Sequence, residues 1–557
     1  MKTSAASTST FRALRNPVYR RLWVASVVSG TLVSAHDTAA TWVMNSLSHS
    51  MVMLSLMSTV ASLPFFLFTL PAGALADLVN RRKLLCVLNV WLALSAGALA
   101  GLGFLRLLNP YLILAAVFLI GVGFAFNAPA WTAIVPEVVT DEELPSAATL
   151  SGLQLNLSGI IGPAIGGLLL PFVGANWVFT MNAVFFLAVL AALLAWRPRQ
   201  RQSKSPLENF FEAFATALRY VRFAPAIQVV LARNVLFTFF ISIIPALLPV
   251  VGLKGLHLQP SSLGFLFTSM GIGSVFGAIF VMPAMRNRLK SNRIITIATL
   301  LLAVVLAALA SVRHPWMVMV IAFLAGIGWT LAASELWVAG QRAMPGWARG
   351  RMNATIIMAG QGATALGGVV WGVAAATLGL HVTLVGAAVL MAASVGLNYL
   401  LSIDFTQELS FEPAPVTPLS AKLIHTPKPH DGPVIITYEF QVDYTHGHAF
   451  MSLMRQVRLI HLRNGAFSWR LHEDLSRFNT FRIEMMVPSW TEHLLQQERL
   501  TVAEKAILDQ AAALHVGPGP IEERIFLNVN RELSLHRAAP TATPGPKQTV
   551  PATQMAG

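Results

Sequence analysis

From Leu22 to Ile403 the chain is a series of apolar runs, each of about twenty residues, broken by short polar loops. A run of that length coils into a helix of about 30 Å, enough to cross the hydrocarbon layer of a bilayer. Twelve runs fit: Leu22–Leu47, Met53–Ala76, Leu84–Leu105, Tyr111–Ala133, Ala147–Val173, Trp177–Trp196, Ile227–Val251, Leu263–Pro283, Ile294–Val312, Trp316–Ala339, Met352–Leu378 and Val382–Ile403. The pattern predicts an all-α membrane bundle of twelve helices, so function has to be sought along a pathway through it.

The loops carry the orientation. Arg12, Arg15, Arg20 and Arg21 precede the first span, Arg81, Arg82 and Lys83 follow the second, and Arg197, Arg199, Arg201 and Lys204 follow the sixth. Arg286, Arg288, Lys290 and Arg293 follow the eighth, and Arg342, Arg349 and Arg351 follow the tenth, whereas the other side offers only Arg106, Lys254 and Arg313. Basic loops stay cytoplasmic, which puts both ends of the bundle on the inner side of a cytoplasmic membrane. The long loop 197–226 divides the spans six and six. Within it Phe210, Phe211, Phe214, Leu218 and Val221 recur at helical spacing, the pattern of an amphipathic helix at the membrane face. Two six-helix halves imply a substrate site between them, near the midplane.

After Ile403 the period changes. Residues 411–429 are Pro-rich, as a linker would be. Ile436, Tyr438, Phe440 and Val442 then alternate, as do Phe467, Trp469 and Leu471, then Phe481, Ile483 and Met485, then Leu527 and Val529. Phe450, Leu453, Met454, Val457 and Ile460 have helical spacing, and Trp490–His515 reads as a second helix. The order is β-α-β-β-α-β, a cytosolic α+β ferredoxin-like unit. The organisation is therefore a segment 1–21, a first half 22–196, a central loop 197–226, a second half 227–403, a linker 404–433, a ferredoxin-like domain 434–533 and a tail 534–557 of disordered composition.

Composition narrows the partners. The chain has 557 residues, 55% hydrophobic and 11% charged, far below the roughly 25% charged residues of soluble domains. Its net charge of +14 is explained by the basic loops and does not call for nucleic acid. Cys86 is the only cysteine, which rules out an intrachain disulfide and a thiolate metal cluster. No phosphate-binding loop with a Gly-x4-Gly-Lys-Ser/Thr spacing occurs, so an intrinsic ATPase is not expected.

Two segments carry specific spacing. After the second span the chain reads Gly73-Ala-Leu-Ala-Asp77-Leu-Val-Asn-Arg81-Arg82-Lys83, a helix ending at a carboxylate with a basic cluster directly behind it. The fifth span contains Gly159, Gly162, Pro163, Gly166 and Gly167, small residues that let helices approach closely in lipid and a proline that bends one. The first resembles the cytoplasmic signature of the major facilitator superfamily, with Leu78 where that pattern favours Arg and Asn80 where it favours Gly. The second resembles the fifth-helix motif of the superfamily's antiporters. Asn127–Trp131 with Val135–Glu137 and Asp141–Leu144, Arg342–Arg351, and Gly360-Gln-Gly362 are similar to connections in one branch, that of the enterobactin exporters and transmembrane secretion effectors. The resemblance implies a twelve-helix 6+6 fold, alternating access with the Asp77 loop as a latch between halves, and export of a small amphipathic molecule such as a siderophore, drug or secondary metabolite. The fourth span, Tyr111–Ala133, lacks the Arg of many proton-coupled drug exporters, so that residue's role has no carrier here. Leu462–Ala466, Trp469, Ser489-Trp490, His493 and Arg499 resemble an appended cytosolic domain of the antibiotic-biosynthesis-monooxygenase type, which implies dimers, and a non-catalytic regulatory or dimerisation role is the expectation for it.

Ionisable residues inside spans are costly and functional by default. Asp37 lies about 22 Å along the first helix from Leu22. With His36 beside it, it is the candidate proton carrier or substrate contact. Glu335, in the tenth span, is a second candidate, its alternative being a pairing with Arg342 or another loop arginine. Arg233 opens the seventh span and is expected to snorkel to the inner surface. His446, His448, His461, His472 and His493 lack compact ligand spacing, so no metal and no cofactor is assigned. The reading is a proton antiporter whose partners are a small-molecule substrate, protons and the lipid bilayer. Its rival is a membrane sensor signalling through the C-terminal domain.

Overall fold

A computed structural model describes residues 11–140, 142–196, 218–404, 411–415, 423 and 426–527, apart from the side chains of Ala74, Asp77, Leu78 and Leu155. Phe210, Phe211 and Phe214 of the expected amphipathic helix, Val529 and the tail 534–557 lie outside the described residues. The chain divides into two units, Met1–Phe411 and Glu412–Gly557.

The first unit contains twelve helical columns among the described residues. They are α1 (Pro17–Leu47), α2 (Met51–Leu78), α3 (Arg81–Phe104), α4 (Pro110–Val138), α5 (Leu144–Val173), α6 (Ala175–Ala195), α7 (Pro225–Gly255), α8 (Pro260–Arg286), α9 (Ser291–Ser311), α10 (Pro315–Arg342), α11 (Arg349–Leu378) and α12 (Leu380–Leu400). Eleven are long and apolar enough to cross a membrane. The exception, α1, is 31 residues long, but its serines, threonines, His36 and Asp37 dilute its apolar character.

Local chemistry sets the helix ends. Asn16 accepts from the Val18 and Tyr19 N–H groups at 3.0 and 3.3 Å, Asn80 from Lys83 at 3.1 Å and Asn109 from Leu112 at 2.9 Å, satisfying donors that a first turn leaves free. Prolines 17, 110, 225, 260 and 315 occupy first turns, where no N–H is needed. Gly174 and Gly379, at φ +79° and +85°, each turn one helix directly into the next, α5 into α6 and α11 into α12. The expected spans began later than these helices because an apolar run stops at its first Arg, whereas a helix runs to its cap.

Pairing repeats between the halves. The pairs α2–α4, α3–α4, α3–α6 and α1–α5 of the first half recur as α8–α10, α9–α10, α9–α12 and α7–α11 in the second. The halves are joined chiefly by two crossed pairs, α2 with α11 and α5 with α8, and also by α2 with α7. The cores are distributed unevenly. At the end away from the basic loops one buried cluster draws on both halves, including Ala39, Met44 and Leu54 with Ile244, Leu247 and Trp371. Toward the basic loops the clusters separate: Leu22, Leu85, Ile134 and Leu193 in the first half, Ile227, Ile294, Leu336 and Met352 in the second. Tyr220, in the described remnant of the central loop, is buried in the latter and meets Trp347 edge-on at 5.5 Å.

The second unit has four antiparallel strands, β1 (Val434–Gln441), β2 (Ser468–Glu473), β3 (Thr480–Val487) and β4 (Glu522–Leu527), in the order β2-β3-β1-β4. Helix α13 (Gly447–Asn464) packs on one face through Phe450, Met454 and Val457. The single helix expected over Trp490–His515 is two, α14 (Trp490–Glu498) and α15 (Val502–Ala512). Thr501 breaks it, because its side chain caps α15 while Glu504 reaches back to the Thr501 N–H at 2.9 Å. The described part of the Pro-rich segment bonds to this unit: Ala414 donates to Leu500 O at 2.8 Å, and Val502 donates to Glu412 O at 2.8 Å.

Candidate functional site

The seam between the halves is built from glycines. On α5, a Cβ at Gly162 would lie 2.5 Å from both Ser34 Cβ and Thr31 O of α1, and one at Gly166 would lie 2.7 Å from Ala35 O. One at Gly167 would lie 2.8 Å from Gly264 Cα of α8, across the seam. Pro163 lends its carbonyl to the same contact, against Gly264. Gly159 differs, since a Cβ there meets nothing within 4 Å. The α5 motif therefore lets one helix touch α1 on one side and the opposite half on the other. Helix α11 repeats the device. Gly367 packs on Phe239 and Ser242 of α7, while Gly368 and Gly372 pack on Thr59 and Ser55 of α2. That second stripe was missed by sequence reasoning, although its Gly368-x3-Gly372 spacing is the legible small-residue signal.

Hydrogen bonds fasten the seam at the same places. Thr59 Oγ1 donates to Ala365 O at 3.0 Å, Thr268 Oγ1 to Ile160 O at 2.9 Å, and Lys254 Nζ to Ser48 O at 3.2 Å. Toward the basic loops, Gly73 of α2 and Gly152 of α5 have nothing within 4 Å of a Cβ. The halves are thus joined at the far end, and their cores are separate at the basic end.

Asp37 stands twenty residues after Pro17, about 30 Å along α1. It is exposed, yet His36 and Thr38 on either side are buried. The reason is which faces α1 has covered. Ser34 and Ala35 lie against α5, and the His36 ring lies 4.6 Å from that of Phe179 on α6, leaving the Asp37 face open. Neither His36 ring nitrogen has a hydrogen-bond partner among the described residues. Thr41 bonds the Asp37 backbone carbonyl at 2.8 Å and leaves the carboxylate free.

The other ionisable candidates are tied up. Glu335 is 2% exposed and accepts from Arg286 Nε at 2.6 Å, so its partner is the arginine that ends α8 rather than Arg342. Arg233 is 3% exposed, which overturns the snorkelling expectation. Its guanidinium turns into the second half and bonds Asn292 Oδ1 and, at 3.3 Å, Leu401 O. Asn292 in turn bonds Asp404 and Asn398, giving a polar knot among α7, α9 and the end of α12. A cavity of about 20 Å³ beside Arg233, room for one water, completes it.

The basic loop after α2 is also well bonded. Arg81 pairs with Glu137 of α4 at 2.7 Å. Arg82 bonds the Leu193 and Leu194 carbonyls at 2.9 and 2.6 Å, capping the α6 C-terminus. Lys83 is exposed, and the Asp77 side chain lies outside the described residues. Arg81–Glu137 and Arg286–Glu335 are counterparts, each tying an arginine at a helix end to the fourth helix of its half.

In the second unit the motif residues build a brace. Arg463 and Asn464 bond Glu504, and Arg499, paired with Glu492 at 2.7 and 3.3 Å, donates to Asn464 O at 3.0 Å, locking α13 to both following helices. His493 is buried against Trp490, with ring centroids 5.2 Å apart, and its ring nitrogens have no partner. Burial pushes the His493 pKa down, against the opposing pull of Glu523, and pushes that of His461 down to about 4. Burial and the Glu523 carboxylate raise that of Tyr438. No cluster of His, Cys, Asp and Glu among the described residues could hold a metal.

The comparisons agree with this architecture. The enterobactin exporter EntS of Salmonella typhimurium is 27% identical over 350 residues, 61% of this chain and 81% of that one. Macrolide efflux protein A of Streptococcus pyogenes is 23% identical over 268 residues, 47% of this chain and 65% of that one. Among solved structures, a bacterial homologue of the human lysosomal transporter Spinster, inward-facing and unoccupied, has a TM-score of 0.56 at 16% identity, covering 70% of this chain and 97% of that one. The nucleoside transporter NupG has a TM-score of 0.56 at 11% identity, covering 69% and 98%. A family model described as transmembrane secretion effector matches residues 8–533. The chain belongs to that family, within the major facilitator superfamily, and is a multi-pass membrane transporter.

Proposed function

We propose that this chain exports a small amphipathic molecule across the cytoplasmic membrane of a bacterium by alternating access, with protons moving the opposite way through Asp37. The observation that carries the reading is an exposed, uncommitted carboxylate deep in α1, in a bundle whose described residues close the seam toward the far end. A carboxylate at that depth facing lipid would cost several kcal/mol, so it belongs to a water-filled path. The basic loops are cytoplasmic by the positive-inside rule, so the path opens to the cytoplasm and both ends of the bundle lie inside. Protonation of Asp37 removes the charge that keeps the path wet and lets the halves exchange which end is closed. His36, desolvated beside it, fixes the α1–α6 packing against which Asp37 is held. The Gly73–Lys83 loop acts as the latch at the cytoplasmic end.

Export rather than import follows from the named activities of the enterobactin exporter and the macrolide efflux protein. A siderophore, drug or secondary metabolite fits that class. Dimerisation through the second unit rests on the sheet face away from α13, where Met486, Ile435 and Phe526 form one row and Phe526 is 47% exposed.

The test is an untargeted mass-spectrometric comparison of medium and cytosol. Cells carry the chain or its Asp37→Asn variant, at equal abundance, with and without iron. The expected result is a compound enriched outside and depleted inside only with the intact chain. Equal export by the Asp37→Asn variant would remove the role given to the carboxylate, and no compound in any condition would contradict export.

A further inference from the structure

Three arginines near the basic end of the first half are occupied. Arg12 pairs with Glu142 at 2.5 Å, Arg81 with Glu137, and Arg82 with two α6 carbonyls. Arg20 and Arg21, on the first turns of α1, make no ion pair and no side-chain hydrogen bond among the described residues, and both are exposed. They stand at the head of a groove of about 410 Å³ between α1 and α6. Its walls are apolar: Val24 and Val28 follow the arginines at helical spacing on α1, and Phe185 and Val189 face them from α6. Helix α6 packs on α1, α3 and α5, all of its own half, so the groove lies on the outer flank of the bundle and not on the seam.

We propose that this groove is a binding site for an anionic phospholipid, its phosphate held by Arg20 and Arg21 and an acyl chain lying along Val24, Val28, Phe185 and Val189. Charge and shape commit to one occupant. A zwitterionic headgroup brings a cation beside its phosphate, which two unpaired guanidiniums repel, and a free phosphate has no use for the apolar walls. The C-terminal end of α6, which would repel a phosphate, has its last carbonyls covered by Arg82. The matching helix of the second half lacks the feature. Counted from the opening prolines Pro17 and Pro225, Gln228 and Val229 stand where α1 has Arg20 and Arg21, and Gln228 is spent on the Val221 and Arg222 carbonyls. The site therefore steadies the basic end of the helix that carries Asp37, and of that helix alone.

The test is native mass spectrometry of the full chain released from detergent, titrated with phosphatidylglycerol or phosphatidylcholine of the same chains. Phosphatidylglycerol should be retained at least tenfold more strongly. The Arg20→Gln/Arg21→Gln variant should fall to the phosphatidylcholine level, while Arg15→Gln, exposed but outside the groove, should not. Val28→Trp fills the groove with both charges intact and should also lose the lipid, which covers the case of a double variant that folds poorly. Equal retention of the two lipids, normal binding by Val28→Trp, or full displacement by glycerol phosphate alone would overturn the proposal.

Discussion

Helices α1 and α7 start alike, each with a proline in its first turn at the basic end, and each leans on a glycine-lined partner, α5 or α11. Twenty residues after that proline, α1 carries Asp37 and α7 carries Pro245. The first half leaves its carboxylate open. The second binds its charges internally, Arg233 in the knot with Asn292 and Glu335 to Arg286. A repeated pairing scheme thus supplies a scaffold, and the departures from the repeat are where the proposed mechanism puts its chemistry. The same asymmetry marks the basic end, where Arg20 and Arg21 answer to Gln228 and Val229.

The largest effect is expected where α5 packs on α1, the helix that carries Asp37. Gly166→Leu puts a side chain into the Ala35 backbone and should abolish folded protein, whereas Gly159→Ala should change thermal stability by less than about 0.5 kcal/mol. Melting curves of both variants in detergent check the pair. Next comes Asp37→Asn, expected to lower export at least tenfold with an unchanged melting temperature; flux at equal membrane abundance reads it. Glu335→Gln should do the reverse. Removing one member of a buried pair costs about 3–5 kcal/mol, but Arg286 is 44% exposed and can return to water, so a loss of about 1–2 kcal/mol with export retained is expected.

The smallest effect concerns the second unit. His461 is neutral in the fold down to about pH 4, whereas the unfolded chain protonates it near its ordinary value of about 6.5. The unfolded form therefore binds the extra proton between those values, and stability is lost as pH falls through that window. Because the residue is only partly buried, about 1 kcal/mol should be lost between pH 7 and pH 5. Urea titration followed by proteolytic cleavage within this unit measures it, and His461→Gln should flatten the dependence.

Much of this was legible in the chain. Span length and the basic loops set the bundle and the 6+6 division, because bilayer thickness and charge burial act on each segment separately. Asp37 was legible for the same reason, as a carboxylate inside an apolar run. The partner of Glu335 and the fate of Arg233 were not. Their partners, Arg286 and Asn292, come from other helices 49 and 59 residues away, and no local pattern reports which loop folds over which helix. The break at Thr501 was a capping box, Thr501 with Glu504, whose local signal was overridden by the helical spacing on either side of it.

Transport as proposed requires Asp37 to lie in a water-filled path open at the basic end. In a Cys86→Ser background, Asp37→Cys should react with a small membrane-impermeant maleimide in inside-out vesicles, while Thr38→Cys and Ile244→Cys, both buried, should not. Failure of Asp37→Cys to react from either side of the membrane, in protein that is folded and inserted, would contradict it.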